Sequence, residues 1–320
     1  MIDIDKIMYL AMKKDASDIH LIAGIKPVMR VRRDLISYED FDILTEEDMW
    51  EIYDYFVRGN VDKDRVFKET KRLDSSFVFS DIRLRVNISL SNEIPVVTLR
   101  LIKNQLPSYE SLGVPDIVRR MMYQPQGLVL VTGKTNSGKT TTLNALINEI
   151  NENQNKKILT LESPIEYKHK CKKSIIVQKE VGVGQDCLTY SSGVKNSLRE
   201  DCDILVIGEI RDKETAEIAM QAGQTGHYVL STIHTIDSIE VITRLRKIGV
   251  SNYDIASTLA TSMSQRLVRR VCPKCAVKRE YTKEEKDIIN GIAKKYGIEY
   301  NFNGLYTYDT VGCPYCNNSG

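Results

Sequence analysis

The chain has 320 residues, 42% of them hydrophobic and 28% charged, which is the composition of a soluble globular protein with room for two domains. Lys and Arg total 45 and Asp and Glu total 43, so the charge balance gives no reason to expect a nucleic acid or an acidic membrane as a partner. No segment approaches the roughly 18 uninterrupted apolar residues that span a bilayer. We therefore expect a cytoplasmic location and no direct membrane insertion.

Residues 1–105 are predicted to form a small α+β domain. A short amphipathic helix begins the chain, with apolar residues at three- and four-residue intervals. Five β-rich segments follow, and they surround a polar helical stretch, TEEDMWEIYDYFV. The five segments are SDIHLI, KPVMRVRR, SSFVF, IRLRVNI and PVVTLRLI. Since KNQLPSYESLGVP has two prolines, a glycine and little periodicity, it is typical of a linker, and we place the domain boundary near residue 106.

Residues 106–270 contain four apolar β segments that alternate with helical sequence. These segments are LVLVT at 128–132, ILTL at 158–161, ILVI at 204–207 and YVLST at 228–232. Continuous apolar strands between helices indicate a parallel sheet that is covered on both faces. Two further helices are predicted near 236–247 and 253–270.

A glycine-rich sequence, GKTNSGKT, lies between the first of these strands and an amphipathic helix. Gly133 and Gly138 permit backbone conformations that turn N–H groups onto phosphate oxygens, and the helix adds its positive N-terminal end. Lys139 supplies a point charge for the β and γ phosphates, and Thr140 offers a hydroxyl to Mg²⁺. The other residues expected to contact ATP are Lys134, Thr135, Asn136, Ser137 and Thr141. A chance match is the alternative, and the flanking strand and helix argue against it.

A second acidic element is found in DILVIGEIRD. Asp203 opens an apolar strand and Glu209 stands at its exit, where a carboxylate can hold Mg²⁺ or orient a nucleophile. A carboxylate after an apolar strand is common, so this position does not define a site by itself.

Four of the seven cysteines form two CPxC pairs, Cys272 with Cys275 and Cys313 with Cys316. Four thiolates in two tight knuckles are the ligands of a closed tetrahedral zinc site. Disulfides are the alternative, but a cytosolic chain would not keep them. A helix, KEEKDIINGIAKKYG, is predicted between the two pairs, within a module of residues 271–320.

Three longer stretches carry a more specific pattern, LREDCDILVIGEIRDKETAEIA, GQTGHYVLSTIHT and SQRLVRRVCPKC. They resemble the secretion ATPase superfamily, and in particular the type IV pilus assembly and type II secretion ATPases called PilB and GspE. The match runs almost continuously from about 125 to 316. The resemblance implies an ATPase with a RecA-like P-loop α/β domain, a PAS-like N-terminal domain and a C-terminal zinc module with four cysteine ligands.

Four motifs of the resembled family can be placed in this sequence. They are the Walker A loop, an Asp box at 160–167, a Walker B box that ends in Glu209 and a His box at 225–235. The resemblance implies that Glu166 positions the attacking water and that His234 senses the γ-phosphate. Family members usually read EDPIE where this chain reads ESPIE, so Ser163 replaces a carboxylate. Lys134 and Asn136 likewise stand where proline and glycine are common.

Arginines of the N-terminal domain approach the nucleotide phosphates in the resembled family, and the candidates here are Arg83, Arg85 and Arg100. An arginine so placed stabilises charge that develops during phosphoryl transfer, whereas a solvated strand face is the alternative. The resemblance also implies a homohexameric ring that drives a PilC/GspF-like platform protein of the inner membrane. That partner would hold the ATPase at the cytoplasmic face of the membrane.

A cysteine module of this kind is present in the assembly ATPases of the resembled family and absent from the retraction type, so the resemblance favours assembly. A retraction motor and an ATP-binding scaffold without turnover remain alternatives, the second because of Ser163. A DNA-handling ATPase should show a basic stripe, which the composition does not favour. Since family members continue with further helices after CNNSG, we expect the zinc module to be truncated at its C-terminal end.

Overall fold

The computed structural model describes residues 2–31, 34–57, 59–80, 82–102, 106–316 and 318–320. The chain forms a larger unit that ends at Arg266 and a smaller unit from Leu267 to Gly320. Across the described ranges, no helix combines the length and the apolarity that a membrane crossing requires. The boundary that we predict near residue 106 adjoins residues 103–105, which lie outside the described residues.

The first part of the larger unit is an antiparallel sheet of six strands with three helices. Its elements are α1 Ile4–Lys13, β1 Asp18–Leu21, β2 Val28–Val31, β3 Asp34–Ser37, α2 Glu46–Val57, α3 Val61–Thr70, β4 Arg72–Phe79, β5 Ile82–Ser91 and β6 Ile94–Ile102. The strand order is β3-β2-β1-β6-β5-β4. Alternate residues of β5, among them Leu84, Val86 and Ile88, are buried in one core with α1 and α2. The predicted α+β character is confirmed. Helix α3 is an addition to the prediction, and with Phe67 as its one buried residue it has no apolar periodicity that would indicate a helix.

The second part of the larger unit is built on a parallel sheet. Its elements are α4 Asp116–Met121, β7 Gly127–Thr132, α5 Lys139–Asn153, β8 Lys157–Glu162, β9 Ile175–Glu180, α6 Tyr190–Ser197, β10 Ile204–Ile207, α7 Lys213–Gln224, β11 Tyr228–Ile233, α8 Glu240–Lys247, α9 Asn252–Thr258 and β12 Leu259–Ser264. The strand order is β12-β7-β11-β10-β8-β9, with every pairing parallel. Every residue of β7, β10 and β11 is buried, which confirms the predicted strands with helices on both faces.

Two strands of the parallel sheet differ from the sequence prediction. The helix predicted near 253–270 is confirmed only in α9, which ends at Thr258, and its later part is wrong because β12 follows at once, paired with β7. The sequence of β12, LATSMS, places Leu259 and Met263 among small and polar residues, so it lacks the apolar run that indicates a strand, and pairing with β7 decides its conformation. The edge strand β9 is a second difference from the prediction, and its sequence, IIVQKE, is only partly buried.

The smaller unit contains an antiparallel strand pair and one helix. These are β13 Ala276–Arg279, α10 Lys283–Lys295 and β14 Thr307–Thr310. The predicted helix is confirmed, and it begins at a capping box in which Thr282 and Glu285 satisfy each other's backbone N–H groups. Because β13 follows the first cysteine pair and β14 precedes the second, their pairing brings the two knuckles together.

Candidate nucleotide-binding and hydrolysis site

The glycine-rich loop joins β7 to α5 at the carboxyl edge of the parallel sheet. Gly138 precedes the first residue of α5 with a φ of 84°, and Gly133 has a φ of 147°, a region that side chains rarely allow. A Cβ atom on Gly133 would lie 2.5 Å from the carbonyl oxygen of Gln265. The loop can therefore keep this path only with glycine at residue 133, and it leaves the unpaired N–H groups of the first turn of α5 for an anion.

Two polar side chains are buried inside the loop. The Nζ atom of Lys139 donates to the carbonyl oxygens of Gly133 at 2.9 Å and of Lys134 at 3.0 Å. Burial lowers the pKa of Lys139, and the negative charge of Glu209 opposes that shift. The Oγ atom of Ser137 is buried and has no hydrogen-bond partner in the described part of the chain. An ammonium, an unpaired hydroxyl and a helix N-terminus together fit the phosphates of a nucleotide.

The other predicted loop residues differ in their surroundings. Lys134, Thr135 and Asn136 have exposed side chains, and Thr140 is half-buried in the first turn of α5. The hydroxyl of Thr141 lies 3.1 Å from the hydroxyl of Tyr167. Their contacts with a nucleotide remain predictions.

Glu209 and His234 meet at the same edge of the sheet. Glu209 follows β10 and His234 follows β11, which is the neighbouring strand. The Nε2 atom of His234 lies 3.2 Å from Oε1 of Glu209. The other carboxylate oxygen of Glu209 accepts a hydrogen bond from Nε of Arg211 at 2.8 Å and forms an ion pair with the same guanidinium at 2.7 Å. The side chains of Glu209, His234 and Arg211 therefore meet next to β7, the strand that leads into the glycine-rich loop. A group that senses the γ-phosphate would act at this place.

The two glutamates of the Asp box have different environments. Glu162, the last residue of β8, is buried and accepts hydrogen bonds from Thr160 at 2.7 Å and from Gln178 at 3.0 Å. Burial raises the pKa of Glu162. Burial also raises the pKa of Glu166, and the positive charges of Arg85 and Arg100 oppose that shift. Since the carboxylate of Glu162 already accepts hydrogen bonds from Thr160 and Gln178, Glu166 is the better candidate to orient a water molecule.

All three predicted arginines have acidic partners. Arg83 pairs with Glu180, Arg85 with Asp74 at 3.6 Å, and Arg100 with Asp18 at 2.9 Å. Arg85 and Arg100 are directly opposite each other on β5 and β6 and line a polar cavity of about 270 Å³. Like charges in opposite positions repel, and the carboxylates of Asp74 and Asp18 offset that repulsion. Arg83 instead joins the antiparallel sheet to the end of β9, and contact of any of the three with phosphate remains a prediction.

Gln265 is a site residue that the sequence pattern does not reveal. It follows β12, donates its backbone N–H to Thr132 at 2.9 Å, and accepts a hydrogen bond from Thr142 at 2.7 Å. It therefore holds β12 against both ends of the phosphate loop. The sequence predicts a helix for the segment that contains Gln265, which gives no reason to place it at the loop. The one sequence feature that singles it out is its position in SQRLVRRVCPKC, a stretch that carries the family resemblance.

The four cysteines of the smaller unit form one cluster. Their Sγ atoms all lie within 4.8 Å of one another, with separations of 3.9 Å for Cys272 and Cys313, 3.9 Å for Cys275 and Cys316, and 3.7 Å for Cys313 and Cys316. Four sulfurs about 2.3 Å from a zinc ion form a tetrahedron with edges of about 3.8 Å. The distances far exceed a disulfide bond of about 2.05 Å. The cluster therefore fits a tetrahedral thiolate-bound metal.

A parallel sheet with a phosphate loop after β7 and carboxylates after neighbouring strands defines a P-loop nucleotide-binding protein. The chain belongs to the type II/IV secretion system protein family, whose model matches residues 1–320, and it is an ATPase of that family.

Curated relatives include ATPases of two kinds of machinery. The type IV pilus retraction ATPase PilT of Pseudomonas aeruginosa is 34% identical over 276 residues, which cover 84% of this chain and 79% of PilT. The type II secretion system ATPase E of Vibrio cholerae is 38% identical over 245 residues, which cover 75% of this chain and 46% of that protein. The matched segment thus spans about half the length of the type II secretion relative.

Solved structures agree with this family. The crystal structure of the pilus retraction motor PilT with bound ADP matches with a TM-score of 0.78 and 32% identity, covering 93% of this chain and 89% of that one. The ATPase DotB of Legionella pneumophila matches with a TM-score of 0.72 and 27% identity, covering 90% and 82%.

Proposed function

We propose that this ATPase powers the assembly of a type IV pilus or a type II secretion pseudopilus. The observation that carries the proposal is the four-cysteine cluster, whose geometry fits Zn²⁺. In the family that the sequence resembles, such a module accompanies assembly ATPases and is absent from the retraction type. The ATPase would act as a homohexameric ring on an inner-membrane platform protein, from the cytoplasmic face of the membrane.

The proposed hydrolysis site uses residues from three strand ends and one helix. Lys139 and the loop N–H groups bind the phosphates, and Thr140 and Glu209 hold Mg²⁺, which prefers oxygen ligands. Bound Mg²⁺ supplies positive charge to the phosphate oxygens. Glu166 orients the attacking water, and His234, in contact with Glu209, senses the γ-phosphate.

The proposed motor step is a rotation between the two sheets of the larger unit. The positive charges of Arg85 and Arg100 on the antiparallel sheet oppose the rise in the pKa of Glu166, and Arg83 of that sheet pairs with Glu180 of β9. Loss of the γ-phosphate would change the electrostatic attraction that these arginines experience. The antiparallel sheet would then rotate relative to the parallel sheet.

Pilus retraction is the second candidate function. It is favoured by the similarity to PilT, which this chain matches over 79% of its length and with a TM-score of 0.78. A retraction motor would use the same nucleotide site, so the ATPase chemistry does not separate the two candidates.

Deletion of the gene in its host distinguishes the two directions of the motor. We expect cells without pili, or cells that fail to secrete pseudopilus-dependent proteins, because an assembly motor is needed to add subunits. Piliation is counted by electron microscopy, and restoration by the wild-type gene but not by a Lys139→Ala allele controls for effects on neighbouring genes. An excess of pili in the deletion strain would instead establish retraction and overturn the assembly proposal.

A further inference from the structure

The segment that follows Glu166 is attached to α5 by two side chains. The hydroxyl of Tyr167 lies 3.1 Å from Oγ1 of Thr141, and Nε2 of His169 lies 2.7 Å from Oδ1 of Asn144. Thr141 and Asn144 are three residues apart, so they share one face of the helix. These two contacts attach the segment to the helix that begins at the phosphate loop.

The direction of the His169 hydrogen bond can be assigned. Asn144 donates its Nδ2 to the carbonyl oxygen of Thr140 at 3.0 Å, so its Oδ1 is the acceptor and Nε2 of His169 is the donor. Burial lowers the pKa of His169 to about 4, so the ring is neutral near pH 7 with its proton on Nε2. His169 is thus linked through Asn144 to the backbone of Thr140 in the first turn of α5.

Gln178 of β9 fixes the same segment from the other side. Its Oε1 accepts the backbone N–H of His169 at 2.9 Å, and its Nε2 donates to the carbonyl oxygen of Tyr167 at 2.9 Å and to Glu162 at 3.0 Å. The backbone just after Glu166 is therefore held by both α5 and β9.

We propose that Tyr167 and His169 are positioning residues for ATP hydrolysis, which act through Thr141 and Asn144 to hold Glu166 at a fixed distance from the phosphate loop. The inference deepens the proposed role of Glu166 and rests on it. Misplacement of a catalytic group by about 1 Å can reduce a rate by about 100-fold. We call the contacts of Tyr167 with Thr141 and of His169 with Asn144 the clamp. Loss of the clamp should reduce turnover while the phosphate loop still binds the nucleotide.

The test compares kcat, the affinity for ADP and the melting temperature of the full chain. We expect His169→Ala to lower kcat by about 10- to 100-fold and to leave ADP affinity within about twofold of wild type. His169→Gln should recover most of kcat, because a glutamine amide can place a donor near the position of Nε2. The double variant His169→Ala/Asn144→Ala should be no slower than His169→Ala, since each substitution removes the same hydrogen bond.

Two results would overturn the inference. One is a kcat for His169→Ala within about twofold of wild type. The other is a loss of ADP affinity and melting temperature together with kcat that His169→Gln does not repair, which is the pattern of a purely structural residue. If His169→Ala does not fold, Tyr167→Phe keeps the ring and removes only the hydroxyl, and a wild-type kcat there would contradict the proposal.

Glu166→Gln, measured beside these variants, separates the inference from the function on which it rests. If Glu166→Gln turns over ATP as fast as wild type, the proposed role of Glu166 is wrong, and the clamp has no catalytic group to position. If Glu166→Gln is inactive and His169→Ala is fully active, the role of Glu166 stands and the clamp is rejected.

Discussion

Replacement of Lys139 with alanine should reduce ATP hydrolysis by at least about 100-fold, since removal of one group that stabilises the transition state costs about that much. The ammonium of Lys139 is buried in the phosphate loop and donates to the carbonyl oxygens of Gly133 and Lys134. When a nucleotide is bound, this charge stabilises the negative charge on the transferred phosphate, an interaction that is strong in a desolvated site. The measurement is phosphate release by the purified chain, together with binding of a fluorescent ATP analogue.

Lys195→Ala is the matched control for Lys139→Ala. Lys195 lies on α6, is 60% exposed and pairs with an equally exposed Glu214, so its removal should leave both readouts within about twofold of wild type. Hydrolysis that survives in Lys139→Ala at the wild-type rate would show that the loop is not the site of phosphoryl transfer.

Removal of the cysteine ligands should strongly lower the free energy of unfolding of the smaller unit. We expect one zinc ion per chain by elemental analysis, and none in a Cys272→Ser/Cys313→Ser variant. In zinc-finger peptides, metal binding supplies on the order of 10 kcal/mol of folding free energy. Because the described elements of residues 267–320 are short, with a two-stranded sheet and one helix, this segment should become sensitive to proteases without its metal.

Cys171→Ser is the control for the cysteine variant. Cys171 is exposed and lies outside the cluster, so its replacement should change neither zinc content nor protease resistance. A wild-type chain without bound metal, in which mass measurement shows two disulfides, would contradict the assignment and would remove the main support for an assembly motor.

The candidate nucleotide site has sequence signals that are local. A buried strand, a glycine-rich turn and a helix occur in sequence order, so the loop from Gly133 to Thr140 follows from a short stretch of residues. The proximity of Glu209 and His234 follows from a simple rule, since the carboxyl ends of neighbouring parallel strands lie at one edge of the sheet.

The features that could not be predicted depend on contacts distant in sequence. The strand β12 has no apolar run, and it forms because it pairs with β7. The position of Gln265 beside Gly133 therefore cannot be predicted from the local sequence. The partner of Arg83 is Glu180, 97 residues away on an edge strand with weak patterning. The pairing of His169 with Asn144 depends on how the loop lies on α5, which no local pattern of residues indicates.

The proposal that Glu166 orients the water for ATP hydrolysis is tested most directly by a comparison of wild type with Glu166→Gln. Both proteins should bind a fluorescent ATP analogue equally well, since Glu166 is not part of the phosphate loop. Wild type should release phosphate over many turnovers, and Glu166→Gln should be slower by about 100-fold or more, the upper range for general acid–base groups. Equal rates in the two proteins, or no turnover in wild type, would contradict the account and leave an ATP-binding scaffold in its place.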